Sequence, residues 1–204
     1  FLADSPREAG YSRSYIQYAP TGAVLGIMPW NFPFWQVFRY AAPALMAGNI
    51  TLLKHAPNVC GCSKKIESLF LEAGAPAGVF QSLIIDTPLA EQVIQAGVVQ
   101  GVTLTGSNRA GSAVASLAGK HTKKTVLELG GSDALLVLAD ADLKAAAGTA
   151  LLSRMNNSGQ TCISAKRFIV VKEVADAFTG ELLKEMENLK QGNPFETGIS
   201  TGPL

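Results

Sequence analysis

Short apolar runs alternate with longer amphipathic stretches along the first part of the chain. Four aliphatic runs predict β-strands, at Ala23–Met28, Ile50–Lys54, Val79–Ile85 and Gly101–Thr105. Apolar residues recur at helical spacing in the segments that follow them, which predicts helices around Trp35–Ala47, Gly61–Ala73, Leu89–Ala96 and Asn108–Ala118. Short strands separated by such helices are typical of βαβ units, so we expect an α/β fold with a parallel sheet.

The pattern changes near Gly130 and Gly131. The apolar runs Thr125–Leu129 and Ala134–Leu138 are separated only by GGSD, which leaves no room for a crossover helix. A predicted helix starting at Asp140 or Asp142, a predicted strand over RFIVVK and an amphipathic helix over Val174–Leu189 follow. We therefore predict a Rossmann-like parallel-sheet domain over residues 1–130 and the start of a second α/β domain over residues 131–204.

Composition and charge exclude several classes of protein. The chain has 204 residues, of which 48% are hydrophobic and 16% charged, a composition typical of globular proteins. Its net charge of +1 gives no electrostatic reason to expect a nucleic acid or an anionic membrane as a partner. No apolar run approaches the roughly 20 residues of a membrane span. Because the chain has no initiator methionine and stops at GISTGPL, we expect it to be the central part of a longer protein.

The three cysteines are too few for a disulfide framework, and the two histidines, His55 and His121, are far apart in sequence. We therefore expect no metal site and a reducing, cytoplasmic setting. Cys162, in NNSGQTCISAKR, follows a glycine-containing turn. If that turn lies near a helix N-terminus, the thiol would be activated; the alternative is a buried structural cysteine, the role expected for Cys60 and Cys62.

Two further segments carry polar residues with chemical potential. Glu128, in LELGG, lies at a predicted strand end, where burial would suit it to act as a general base; the alternative is an exposed glutamate. Asn31, in MPWNFP, lies between two prolines in a rigid turn. Its side-chain amide could stabilise an oxyanion, or it could be a turn residue or a helix N-cap.

Two segments suit a cofactor crevice. LTGSNRAG follows a predicted strand and opens a helix, where phosphates bind in open α/β sheets, although its spacing fits neither a P-loop nor GxGxxG and helix packing could explain both glycines. Lys54, in LLKHAPN, lies at the end of another predicted strand, beside the same crevice.

Together, and in this order, PWNFP, LKHAP, TGSNRAG, LELGGSD and GQTC resemble the aldehyde dehydrogenase superfamily. The resemblance implies that Cys162 is the nucleophile, that Asn31 stabilises the oxyanion and that Glu128 activates water to hydrolyse the thioester. It also implies that residues 1–130 bind NAD or NADP. The implied cofactor-binding residues are Trp30, Asn31, Lys54, His55, Ala56, Pro57, Gly106, Ser107 and Leu129.

The segments NFPFWQVFRY and KHAPN are similar to the succinate-semialdehyde dehydrogenase branch of this superfamily. NAD-preferring members commonly carry an acidic residue three positions after the ribose lysine, where this chain has Pro57, so we expect NADP to be accepted, with or without NAD. Arg39 and Trp35 lie eight and four residues after Asn31. If all three share a helix face, Arg39 would bind the distal carboxylate of succinate semialdehyde; the alternative is a surface arginine.

Other functions remain open at the level of sequence. A cysteine hydrolase or acyltransferase would need His55 or His121 beside Cys162. A CoA-acylating aldehyde dehydrogenase is a closer alternative, although Glu128 favours hydrolysis by water. A third possibility is a non-catalytic remnant of the fold. The family resemblance further implies a homodimer or homotetramer for a full-length protein.

Overall fold

The computed structural model describes residues 3–203, which form two compact units that divide after Leu129. The outermost residues of the two predicted domains, 1, 2 and 204, lie outside the described residues. Each unit has its own sheet and its own apolar core.

The first unit contains a five-stranded parallel sheet and a small antiparallel pair. The pair is β1 (Ser5–Pro6) and β2 (Tyr15–Ile16), which the sequence pattern did not predict. The sheet consists of β3 (Ala23–Met28), β4 (Ile50–His55), β5 (Phe80–Ser82), β6 (Val99–Thr105) and β7 (Lys124–Glu128). The helices are α1 (Trp35–Met46), α2 (Cys60–Glu72), α3 (Thr87–Gln95) and α4 (Asn108–Lys120).

The strand order in this sheet is β5-β4-β3-β6-β7. The chain starts in the middle, builds to one edge, returns to the middle at β6 and builds to the other edge, which is the doubly wound arrangement. The predicted α/β class with a parallel sheet is therefore confirmed.

Helices cover both faces of the sheet. On one face Leu25 and Leu104 pack with Val114 of α4 and Ile94 of α3. On the other face Met28 and Leu53 pack with a group of buried side chains from α1 and α2, namely Val37, Ala41 and Ile66. Because the middle strands are covered on both sides, they carry aliphatic residues on both faces rather than in strict alternation with polar ones, which is why the sequence pattern identified them.

Two local predictions are wrong. The strand expected over Val79–Ile85 is only Phe80–Ser82, because this edge strand pairs solely with Thr51–Leu53 of β4. Asn31 does not share a helix with Trp35 and Arg39, because α1 begins at Trp35.

The second unit is built on two parallel strands, β8 (Asp133–Val137) and β9 (Ala165–Val170). Helix α5 (Leu143–Met155) packs against both strands and against α6 (Ala175–Glu187). Asp142 begins α5 as predicted, since its carboxylate accepts the Ala145 N–H at 3.1 Å. Among residues 3–203, no helix combines the length and the apolar character needed to cross a membrane.

Candidate active site

The carboxyl ends of β3 and β6 lie side by side, at the point where the strand order reverses. Ligands of open α/β sheets bind in the crevice outside such strand ends. The Asn31 segment follows β3 directly, and the Gly106 turn follows β6 directly. The topology thus carries these two predicted motifs to the same edge of the sheet.

His55 anchors the segment that carries Asn31. Its ring is buried, with Nε2 2.9 Å from the Pro33 carbonyl and Nδ1 3.0 Å from the Ala56 N–H. Nε2 can donate to the Pro33 carbonyl, while Nδ1 also lies 3.2 Å from the Met28 carbonyl, so main-chain groups surround both ring nitrogens. His55 therefore links the end of β4 to the turn two residues beyond Asn31.

The cysteine hydrolase alternative requires His55 or His121 to lie beside Cys162. Both ring nitrogens of His55 face main-chain groups of the first unit. The other histidine, His121, is exposed and directly follows α4. Both imidazoles thus belong to the first unit, whereas Cys162 belongs to the second.

The LTGSNRAG segment forms a strand–turn–helix connection. The Gly106 N–H donates to the Glu128 carbonyl at 2.9 Å, and the Ser107 hydroxyl caps α4 by accepting the Ala110 N–H at 3.2 Å. Gly111 is a packing glycine, since a Cβ there would lie 2.5 Å from the Leu129 side chain. Leu129, predicted to contact cofactor, packs its side chain against this helix.

Lys54 lines a cavity between α3 and α4. The cavity has a volume of about 460 Å³ and is mostly apolar, with Ile27 and Leu104 at its floor and Glu91 and Lys120 among its few charged groups. A mostly apolar cavity with a few polar groups is the usual form of a small-molecule binding site. Pro57 begins a 3₁₀ turn, Pro57–Val59, immediately after the strand that carries Lys54.

Glu128 is the last residue of β7, and its side chain is 47% exposed. The burial expected for this residue is therefore not seen, while its role as a base stays a prediction. Its carboxylate accepts a hydrogen bond from the guanidinium of Arg39, on α1. Sequence reasoning singled out both residues but did not predict that they pair.

The same ion pair borders a cavity of about 290 Å³ between α1 and the sheet. Gln36 and Tyr40, which lie one turn apart on α1, also line it. Gln36 is 6% exposed, and its Oε1 has no hydrogen-bond partner among residues 3–203. Trp35, the other predicted substrate residue, is exposed.

Cys162 lies in a turn between the 3₁₀ segment Asn156–Gly159 and β9. It does not lie at the start of a helix, so that part of the sequence interpretation is wrong. The residues before it, Asn157, Ser158 and Gly159, have φ values of 52°, 55° and 78°. Left-handed backbone at two consecutive non-glycine residues is costly and is concentrated at functional turns.

Short polar contacts hold the Cys162 turn. On either side of Cys162 in sequence, the buried hydroxyls of Thr161 and Ser164 are hydrogen bonded to each other. The Lys166 ammonium donates to the Cys162 carbonyl at 2.9 Å and to the Gly131 carbonyl at 2.6 Å. Lys166 thus joins the cysteine turn to the GGSD segment, a role for which the sequence offered no signal beyond proximity.

The structure divides the predicted catalytic residues between the two units. Asn31 and Glu128 belong to the first unit and Cys162 to the second. All three cysteines are free, and among residues 3–203 no group of three or more metal-binding side chains could hold a metal ion.

A parallel sheet of doubly wound order, with an asparagine turn and a glycine turn at its carboxyl edge, defines a nucleotide-binding class of fold. The family model described as the aldehyde dehydrogenase family matches residues 4–204. This chain therefore belongs to the aldehyde dehydrogenase family, as the motifs predicted.

Several relatives have more specific names. A probable succinate-semialdehyde dehydrogenase [NADP(+)] of Synechocystis sp. is 52% identical over 204 residues, which are 100% of this chain and 45% of that protein. A succinate-semialdehyde dehydrogenase [NADP(+)] of Mycolicibacterium paratuberculosis is 47% identical over 206 residues, 100% of this chain and 44% of that protein. The chain thus spans just under half the length of these relatives.

Solved structures agree with this placement. The succinic semialdehyde dehydrogenase of Streptococcus pyogenes, solved with NADP+ as the cofactor, superimposes with a TM-score of 0.93 at 41% identity, over 97% of this chain and 44% of that one. The succinate-semialdehyde dehydrogenase of Burkholderia pseudomallei gives a TM-score of 0.95 at 33% identity, over 100% of this chain and 43% of that one.

Proposed function

We propose that this chain belongs to an enzyme that oxidises succinate semialdehyde to succinate with NADP or NAD. The observation that carries the proposal is the sheet edge at which the Asn31 turn, the Gly106 turn and Glu128 meet. The domain assignment follows from it: residues 1–130 bind the cofactor, and residues 131–204 begin the domain that provides the nucleophile.

The chemistry uses one residue for each step. The Cys162 sulfur bonds to the aldehyde carbon, and the Asn31 side-chain amide donates to the resulting oxyanion. Bound NADP+ or NAD+ supplies the hydride acceptor for this intermediate, which becomes a thioester. Glu128 then takes a proton from water while the water oxygen bonds to the acyl carbon and the sulfur leaves as thiolate. No histidine is required, because the leaving group of the first stage is hydride.

The cofactor residues follow from the crevice and its neighbouring cavity. Lys54 lines the cavity between α3 and α4, which has the size and apolar lining suited to an adenosine, and it would bind the ribose. Trp30, Ala56 and Leu129 are further proposed cofactor-binding residues. His55 is proposed to contribute through the turn that it anchors. Pro57 places no negative charge beside a 2′-phosphate, which supports NADP as a cofactor.

The pyrophosphate is assigned to the turn at Gly106 and Ser107. Ser107 caps a helix of thirteen residues, and the start of such a helix favours negative charge.

Arg39 is the proposed ligand of the substrate's distal carboxylate, with exposed Trp35 one turn before it on α1. A guanidinium pairs with a carboxylate through two parallel hydrogen bonds, which gives both affinity and orientation. The full-length enzyme is proposed to be a cytoplasmic homodimer or homotetramer that acts on this small aldehyde.

The test measures NADPH formation by the full-length protein with succinate semialdehyde. Cys162→Ser should abolish steady-state oxidation, whereas the matched variant Cys60→Ser should retain it. Glu128→Gln should lower kcat by about 10²- to 10⁴-fold while a rapid initial burst of NADPH persists, because only hydrolysis loses its base. The exposed Glu187→Gln is its control. Oxidation by Cys162→Ser at the wild-type rate would contradict the proposal.

A further inference from the structure

The ion pair between Arg39 and Glu128 raises a question that the proposed roles do not answer. Arg39 projects from α1 and Glu128 ends β7, 89 residues later, and the two side chains pair directly. Under the proposed function, the same guanidinium must bind the substrate carboxylate and the same glutamate must accept a proton from water. Both residues are therefore committed to each other before substrate arrives.

We propose that Arg39 holds Glu128 in this ion pair until the substrate carboxylate takes the guanidinium, so that binding of an acidic aldehyde releases the general base. The inference rests on the proposed function. Arg39 is a positioning residue for Glu128 in this scheme, in addition to being a ligand of the substrate.

The substrate carboxylate can displace Glu128 from Arg39 because this ion pair is weak. The Arg39 and Glu128 side chains are 45% and 47% exposed. Exposed ion pairs contribute little, since water screens the charges and two long side chains must be ordered. A substrate carboxylate that pairs with both arms of the guanidinium compensates for the lost contact.

The cavity beside the pair provides room for the released carboxylate and for water. It measures about 290 Å³, and its lining includes both members of the pair and Gln36. The Gln36 Oε1 atom is buried and has no hydrogen-bond partner in the described part of the chain. Buried polar atoms of this kind commonly bind water, so the cavity suits a water molecule that shares its hydrogen bonds between Gln36 and the freed Glu128.

The ion pair keeps the Glu128 carboxylate occupied. The oxygen that accepts from the Arg39 guanidinium is held against Arg39 and so is not placed to take a proton from a water molecule. With the pair exchanged, Glu128 accepts that proton, the water oxygen bonds to the thioester carbon, and Cys162 leaves with the electrons of the C–S bond. An uncharged aldehyde also forms a thioester with Cys162, but it leaves Glu128 paired with Arg39.

The first experiment compares succinate semialdehyde with its methyl ester in the full-length protein. On the ester, the wild type should show a burst of NADPH followed by slow turnover. Arg39→Gln should raise kcat on the ester about two- to fivefold, the factor that corresponds to a half-exposed ion pair. The same variant should raise KM for succinate semialdehyde far more than for the ester. Arg7, near the start of the chain, is also an exposed arginine. Arg7→Gln should change neither kcat on the ester nor KM for succinate semialdehyde.

A second experiment needs no variant. Acetaldehyde and acetate together reproduce the two ends of succinate semialdehyde. Added acetate should raise kcat for acetaldehyde in the wild type and should have no effect in Arg39→Gln.

The outcomes separate the two proposals. If acetate has no effect on the wild type and Arg39→Gln lowers or leaves kcat on the ester, the release of Glu128 is overturned, while oxidation of succinate semialdehyde still stands. If the wild type oxidises neither aldehyde with NADP+ or NAD+, the proposed function itself fails.

Discussion

At the scale of single residues, His55 shows how a side chain can serve a reaction without touching the reacting atoms. Its ring joins β4 to the Pro33 carbonyl and so fixes the turn that carries Asn31. From sequence we expected His55 to contact cofactor, because its motif suggested so. That contact stays a prediction; the buried ring, with main-chain groups at both nitrogens, adds a positioning role that depends on a contact 22 residues away in sequence.

His55→Ala should therefore lower kcat by about 10- to 100-fold, since small displacements of a catalytic group have effects of this size. It should also lower the melting temperature, because the Pro33 carbonyl loses its partner. The exposed His121→Ala is the matched control and should behave as wild type. Because His55 acts through Asn31, the losses in His55→Ala and Asn31→Ala should not add in the double variant. Full activity in His55→Ala would refute this role.

Pro57 tests the choice of cofactor. Pro57→Glu places a carboxylate where it repels a 2′-phosphate and accepts from a 2′-hydroxyl. The ratio of kcat/KM for NADP to that for NAD should fall about tenfold or more, since like charges near 4 Å cost roughly 1–4 kcal/mol. Asn58→Glu, one residue further along and equally exposed, is the charge control. An unchanged ratio in Pro57→Glu would show that Pro57 lies away from the ribose.

At the scale of elements, Tyr40 of α1 packs directly on Gly26 of β3. A Cβ on Gly26 would lie 2.2 Å from Cζ of Tyr40, so the ring occupies the space that any side chain at this strand position would need. The Tyr40 hydroxyl donates to the Leu52 carbonyl at 3.2 Å. Burial raises the pKa of Tyr40 well above its usual range, so the phenol stays protonated and keeps this bond across the physiological range.

Gly26→Ala should accordingly destabilise the protein by about 1–3 kcal/mol, as expected for overpacking. Gly180→Ala, in the middle of α6 with open space around it, should be neutral or stabilising by up to about 1 kcal/mol. Thermal unfolding followed by circular dichroism measures both. In a Tyr40→Ala background, Gly26→Ala should lose most of its effect; an equal loss in both backgrounds would refute the contact.

At the scale of the whole molecule, the second unit leaves large apolar side chains exposed. They lie on its strands, on α5 and beside the cysteine turn, and include Leu136, Leu138, Leu152, Ile163 and Ile169. So many large exposed apolar side chains on a unit of this size suggest an interface with another part of a protein. The relatives are more than twice as long as this chain, which is in keeping with that interpretation.

A polypeptide restricted to residues 1–204 should therefore bind a hydrophobic dye, self-associate and show no aldehyde oxidation. Leu152→Lys, at a position 76% exposed, should reduce the self-association without changing the helix content. Sedimentation velocity and dye fluorescence provide the measurements. A monomer without dye binding would contradict the expectation.

The sequence by itself determined the elements and the family. The aliphatic runs at β3, β4 and β6 were recognisable because both faces of these strands are buried, and the motifs around Asn31, Glu128 and Cys162 are local strings of residues. It failed where a feature depends on a neighbour distant in sequence or on backbone angles. The short β5 and the left-handed residues before Cys162 are of this kind.

Tertiary structure alone decided which groups meet. The pairing of Arg39 with Glu128, the anchoring of the Pro33 turn by His55 and the contact of Gly26 with Tyr40 each join residues from different segments of the chain. Residue types and local periodicity carry no information on such pairings, because they depend on how the strands are ordered and how the helices cross them. The sequence therefore identified Glu128 as a candidate base, and only the folded chain shows that an arginine holds it.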